Sequence, residues 1–98
     1  MPPRQTPHFV SGLETLESEL LAEKAAALGR TAIAAQRALV KLSSHPEHDD
    51  TRMRLLKAAA RAVHHYFIQR ELSGLRRHDD AIRDLAIPRE VLVRLGAS

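Results

Sequence analysis

Between Pro7 and Pro46 the chain has no proline, and within that stretch Leu13, Leu16, Leu20, Ala27, Leu28, Ala32, Ala35, Leu39 and Leu42 recur at helical spacing. Proline inside a helix removes a hydrogen bond and clashes with the preceding turn, so so long an apolar stripe without one predicts a single helix. We place it over residues 12–43, about 47 Å at 1.5 Å per residue. Gly29 is its weak position, since a mid-helix glycine costs about 1 kcal/mol relative to alanine. The stripe keeps its phase across Gly29, and Ala34, Ala35 and Ala38 follow, so the helix is read as continuous. A close helix crossing at Gly29 would explain the residue. Upstream, residues 1–10 hold three prolines and no periodicity, which predicts a loose arm. Ser11 and Glu14 have the spacing of a capping box, with Val10 placed as a weak hydrophobic staple on Thr15 or Leu16.

The segment Ser43-Ser44-His45-Pro46-Glu47-His48-Asp49-Asp50 is the turn, and it offers two helix starts. Ser44 with Glu47 repeats the capping-box spacing around Pro46, while Asp49 or Asp50 could cap instead. A second helix follows over 50–73. Met53, Leu56, Ala60, Val63 and Phe67 form its stripe, flanked by Leu55, Ala59, Ala62 and Tyr66, and Gly74 takes the left-handed position after its end. Over 79–95 two short helices are expected. Asp79 or Asp80 caps the first, and Pro88 separates it from a second that carries Val91, Leu92 and Leu95.

Fifteen Ala and fourteen Leu stand against five Val, four Ile and three aromatic residues, a balance that favours helix over strand. The expected fold is therefore all-α: one domain of 98 residues, a long antiparallel α-hairpin with two short C-terminal helices. A hairpin of this length has more apolar face than a twenty-residue tail can cover. Two hairpins pairing into a homodimeric four-helix bundle would bury it. Absence of cysteine removes disulfides and thiol chemistry, and no apolar run approaches the ~20 residues of a membrane span. The N-terminal residues lack the apolar stretch of a secretory signal, so a cytoplasmic protein without membrane contact is expected.

Chemistry is sparse. The four glycines (12, 29, 74 and 96) are scattered, so no phosphate-cradling loop exists, and no serine lies in a Gly-x-Ser-x-Gly elbow. We expect no enzyme, no catalytic residue and no cofactor. Six histidines raise the question of metal, with His45, Glu47, His48, Asp49 and Asp50 in the turn and His78-Asp79-Asp80 further on. Their convergence on one ion is not implied by spacing, and His64 and His65 point about 100° apart on a helix. No metal is expected.

Charge is unevenly spread. Residues 1–29 carry a net −2 and residues 30–76 a net +5, and the remainder balances. A hairpin would gather Arg30, Arg37, Lys41, Arg52, Arg54, Lys57 and Arg61 at its turn end. An ordinary solvated face accounts for this best, an acidic protein surface next, and nucleic acid after that. The tail also resembles a helix-turn-helix, with Ala86 at the turn and Arg89, Glu90 and Arg94 as exposed recognition residues. Its zero net charge and the neighbouring Asp79 and Asp80 favour two packing helices instead.

The stretches Tyr66-Phe67-Ile68-Gln69-Arg70-Glu71-Leu72-Ser73-Gly74-Leu75-Arg76 and Ile87-Pro88-Arg89-Glu90-Val91-Leu92-Val93-Arg94-Leu95-Gly96 resemble a family of short uncharacterised bacterial proteins. The shared pattern is Phe-x-x-Gln-Arg-Glu, Gly-Leu-Arg and Ile-Pro-(Arg/Lys)-Glu-Val-Leu. The resemblance covers the last third of the chain and implies no activity, cofactor or catalytic residue. It directs attention to the junction of helix two and the tail, where Tyr66, Phe67, Gln69, Arg70, Glu71 and Arg76 lie. A tail folding back there would bring Arg89 and Glu90 to Arg70 and Glu71 in crossed ion pairs. That patch is expected to be a latch, or else a surface for an unknown protein partner. Leu75, Ile82, Leu85, Ile87, Leu92 and Leu95 are too many large apolar residues for a free end. The expected function is association without catalysis, with a small DNA-binding protein or regulator as the alternative.

Overall fold

The computed structural model describes the backbone of residues 8–97 and the side chains of residues 11–95. Among the described residues there are four helices and no strand: α1 (His8–Ser43), α2 (Asp50–Leu72), α3 (Asp79–Asp84) and α4 (Arg89–Ala97). The fold is all-α. None of the described helices is long and apolar enough to cross a membrane.

Helix α1 runs unbroken through Gly29, as its stripe implies, but starts earlier than expected. Ser11 and Glu14 lie inside the helix, and the Thr15 hydroxyl donates to the Ser11 carbonyl (3.0 Å). The capping box is therefore not used. Once a helix is nucleated, each added residue gains a backbone hydrogen bond, and no proline lies between Pro7 and Ser11 to stop its growth upstream. The expected arm over 1–10 is thus helical from His8, while residues 1–7 and the Val10 side chain lie outside the described residues. Gly29 marks no crossing either, because a Cβ added there would meet nothing within 4 Å.

At the turn the aspartate start prevails. The Asp49 carboxylate accepts from the Arg52 backbone N–H (2.9 Å), and α2 begins at Asp50. At its far end Gly74 adopts φ +93°, and its N–H donates to the Glu71 carbonyl (3.0 Å) while the Leu75 N–H donates to that of Arg70 (2.9 Å). This pair of bonds is a Schellman motif, which reverses the chain. The same motif recurs after α3. Ala86 holds φ +51°, its N–H reaches the Arg83 carbonyl (3.1 Å), and the Ile87 N–H reaches that of Ile82 (3.0 Å).

The core is small. Ala35, Leu39 and Leu42 from α1 meet Ala59, Ala60 and Val63 from α2, and Ile87 and Val91 close the cluster from the tail. Helix α2 is the centre of the packing, touching α1 on one side and α4 on the other. Met53 and Leu75, expected inside, are exposed instead. Every described α1 residue from Ser11 to Ala26 is exposed, because α2 is thirteen residues shorter than α1 and reaches no further. The molecule measures 74 × 22 × 20 Å, with a radius of gyration of 19.5 Å. A compact chain of this length would have about 13 Å.

Candidate functional site

Arg70, in the last turn of α2, is the one buried charged residue among those described, at 6% exposure. The chain reversal at Gly74 brings the following loop back across it. Its Nε donates to His78 Nδ1 (3.1 Å), Nη1 to the Tyr66 hydroxyl (3.4 Å), and Nη2 to both the Arg77 carbonyl and Asp80 Oδ1 (2.9 Å each). The guanidinium carbon also lies 5.6 Å from the Tyr66 ring centroid. His78 stacks on Phe67, with ring centroids 4.2 Å apart and planes 3° from parallel, and its Nε2 lies 2.9 Å from Glu71 Oε2. Arginine Nε can only donate, so the network assigns the His78 proton to Nε2, facing Glu71. The Asp80 carboxyl is held below its ordinary value of 3.8, first by the Ala81 backbone N–H and then by Arg70, against the opposing effect of desolvation.

Four of the five guanidinium N–H donors are thereby engaged within the chain, which leaves Arg70 little capacity for an incoming anion. The cluster ties α2 to the loop and to α3. Tyr66, Phe67 and Gln69 are half-buried around it, and Arg76 is exposed beside it. The expected crossed pairs do not form. Glu90 pairs instead with Arg52, at the opposite end of α2, and Arg89 is exposed. The chain turns a second time at Ala86, and α4 pairs with α2 near its start. Sequence reasoning missed His78 and Asp80 as the partners of Arg70, having weighed His78 as a metal ligand and Asp80 as a metal ligand or helix cap. Their signal was position, four and six residues past the Gly74 stop.

The basic residues of the turn end differ in how far they are engaged within the chain. Arg52 is half-buried, with Nη1 on the His45 carbonyl (2.9 Å) and Nη2 on Glu90. Arg30 faces Glu23 at 3.6 Å, and Arg54 donates to the Thr51 hydroxyl (3.2 Å). Arg37 and Lys41 lie exposed on α1, while Lys57 and Arg61 lie exposed on α2; these four make no ion pair among the described residues. In the turn, His45 Nε2 meets Asp49 Oδ1 (2.8 Å) and Nδ1 faces Glu47 Oε2 (3.7 Å), so its two nitrogens already have carboxylate partners. Asp49 is held below its ordinary value by the Arg52 N–H first and by His45 next. Among the described residues no three His, Asp or Glu side chains come together as a metal would need. In the tail α4 packs its Val91 against the core, Arg94 is half-buried and Glu90 is paired, which leaves Arg89 as the free one of the three expected recognition residues.

The outer half of α1 is an uncommitted surface. Leu13, Leu16, Leu20 and Leu21 are 54–68% exposed on a stretch of α1, Ser11 to Ala26, in which every residue is exposed. Around them stand Glu14, Glu17, Glu19 and Glu23, with Lys24 as the single base.

A model of a protein family matches residues 7–98; it is described as a family of unknown function, DUF6665. It takes in α1 as well as the C-terminal third that carried the resemblance. No curated protein and no solved structure matches the chain.

Proposed function

Because the chain belongs to this family of unknown function, its role has to be sought on its own surface, and we propose that it is a non-catalytic helical protein acting through self-association. Two α-hairpins, each formed by α1 and α2, pair into a four-helix bundle, which then serves as a platform for protein partners. The observation that carries this is the row of exposed leucines on the outer half of α1. A 16-residue helix segment that buries nothing has little reason to persist alone in water. Covering four leucines on each of two copies contributes on the order of 10 kcal/mol, at ~1.5–3 kcal/mol for complete burial of each. Association itself costs ~4–15 kcal/mol, so concentration decides the state.

Sedimentation at tens of micromolar should give about twice the 10.9 kDa chain mass. Leu20→Asp should yield a folded monomer, since Leu20 is exposed within the chain, whereas Leu39→Asp should unfold it by forcing a charge into the core. A monomer at every concentration, with a cooperative melt, overturns the proposal. The competing reading, nucleic-acid binding, draws on the exposed α2 face of Arg54, Lys57 and Arg61. It requires affinity that falls steeply with salt and is lost when these three are neutralised.

A further inference from the structure

A shallow groove between α1 and α2 is lined by the small side chains of Thr31, Ala34, Ala58 and Ala62, with Arg30, Arg61 and His65 beside them. Its apolar lining is small, and the charges beside it are basic. The outer half of α1 has the opposite character on both counts, with large leucines flanked by glutamates.

The positions fit a two-fold pairing. Leu13, Leu16, Leu20, Ala27, Thr31 and Ala34 are spaced by three, four, seven, four and three residues along α1. These steps keep all six on one helical face, as in a coiled-coil seam. They also read the same in either direction, which an antiparallel pair of identical helices requires. Laid antiparallel, Leu20 meets Ala27 of a second copy, Leu16 meets Thr31 and Leu13 meets Ala34. The same register sets Glu23 against Lys24 and Glu17 against Arg30, each pair occurring twice.

Building on the self-association just described, we propose that the outer half of α1 docks antiparallel into the α1–α2 groove of a second copy, leucines onto alanines and glutamates onto Arg30 and Arg61. The alternative, outer half against outer half, would oppose four glutamates and one lysine with the same set. Like charges facing each other across such a seam are unfavourable. Arg30 is available for the new contact, because its hold on Glu23 is loose at 3.6 Å and both side chains are well exposed.

The chain has no cysteine, which makes the register directly readable. In the Leu16→Cys/Thr31→Cys variant the two thiols are about 22 Å apart along one helix, too far to join within a chain. Mild oxidation should convert this variant to a covalent dimer, while Leu16→Cys alone and Thr31→Cys alone stay non-covalent. In parallel, Glu14→Arg/Glu17→Arg and Arg30→Glu/Arg61→Glu should each associate at least tenfold more weakly than the parent, and mixing the two should restore a heterodimer. Covalent dimer from Leu16→Cys alone, or a sedimenting dimer of the double variant without the disulfide, overturns the register and leaves self-association standing. A parent chain that sediments as a monomer removes both.

Discussion

At the scale of single residues, two positions hold backbone choices that a substitution can improve. Ala86 sits at φ +51°, where an L-residue with a Cβ is strained and glycine is not. Gly29 has the reverse problem, an exposed mid-helix glycine with open space around a Cβ. Ala86→Gly and Gly29→Ala should each raise stability by about 0.5–1 kcal/mol, read as a shift in the urea midpoint without change in slope. Asp80 supplies a pH signature. Its folded carboxyl is held below the ordinary value, so its contribution is complete above that value and fades as pH falls through the lower one. The parent should therefore lose stability relative to Asp80→Asn as pH drops from about 5 towards 3, and the gap between them should close. A gap of constant size across that window would exclude Asp80 as the source. Arg70 was legible in the sequence as a residue of interest, but its partners were not. Identity and spacing suggested a bond to Glu90, and only the left-handed Ala86, which a sequence does not announce, sends α4 to the other end of α2.

At the scale of elements, the helices were legible because periodicity and punctuation agree. Gly74 ends α2 where a C′ residue is needed, and Asp49 caps its start. The start of α1 was misread because a plausible capping box at Ser11 lies where continued helix is better still. The tail is held twice, by Arg70 on the loop and α3 and by Ile87 and Val91 in the core. Removing everything after Gly74 should uncover Val63 and Ala60 and forfeit burial of two large side chains, ~1.5–3 kcal/mol each. Thermal scans should show a melting temperature lower by on the order of 10 °C, or aggregation. An unchanged melt would mean that the tail only rests on α2.

At the scale of the whole molecule, the sequence already showed more apolar helix than two helices and a short tail can hide. What it did not show was where the excess would lie. That depends on α2 ending thirteen residues short of matching α1, a difference in length blurred while the start of α1 was misplaced. The core is correspondingly thin, with Val63 and Val91 the largest side chains fully enclosed. A helix left bare over four turns is what the proposed pairing with a second copy would cover. Under that pairing the form of this protein would be partly a matter of abundance: a scarce chain and a plentiful one, identical in sequence, would differ in how much of α1 is rigid. Synthesis rate would act on shape, with no ligand or modification in between.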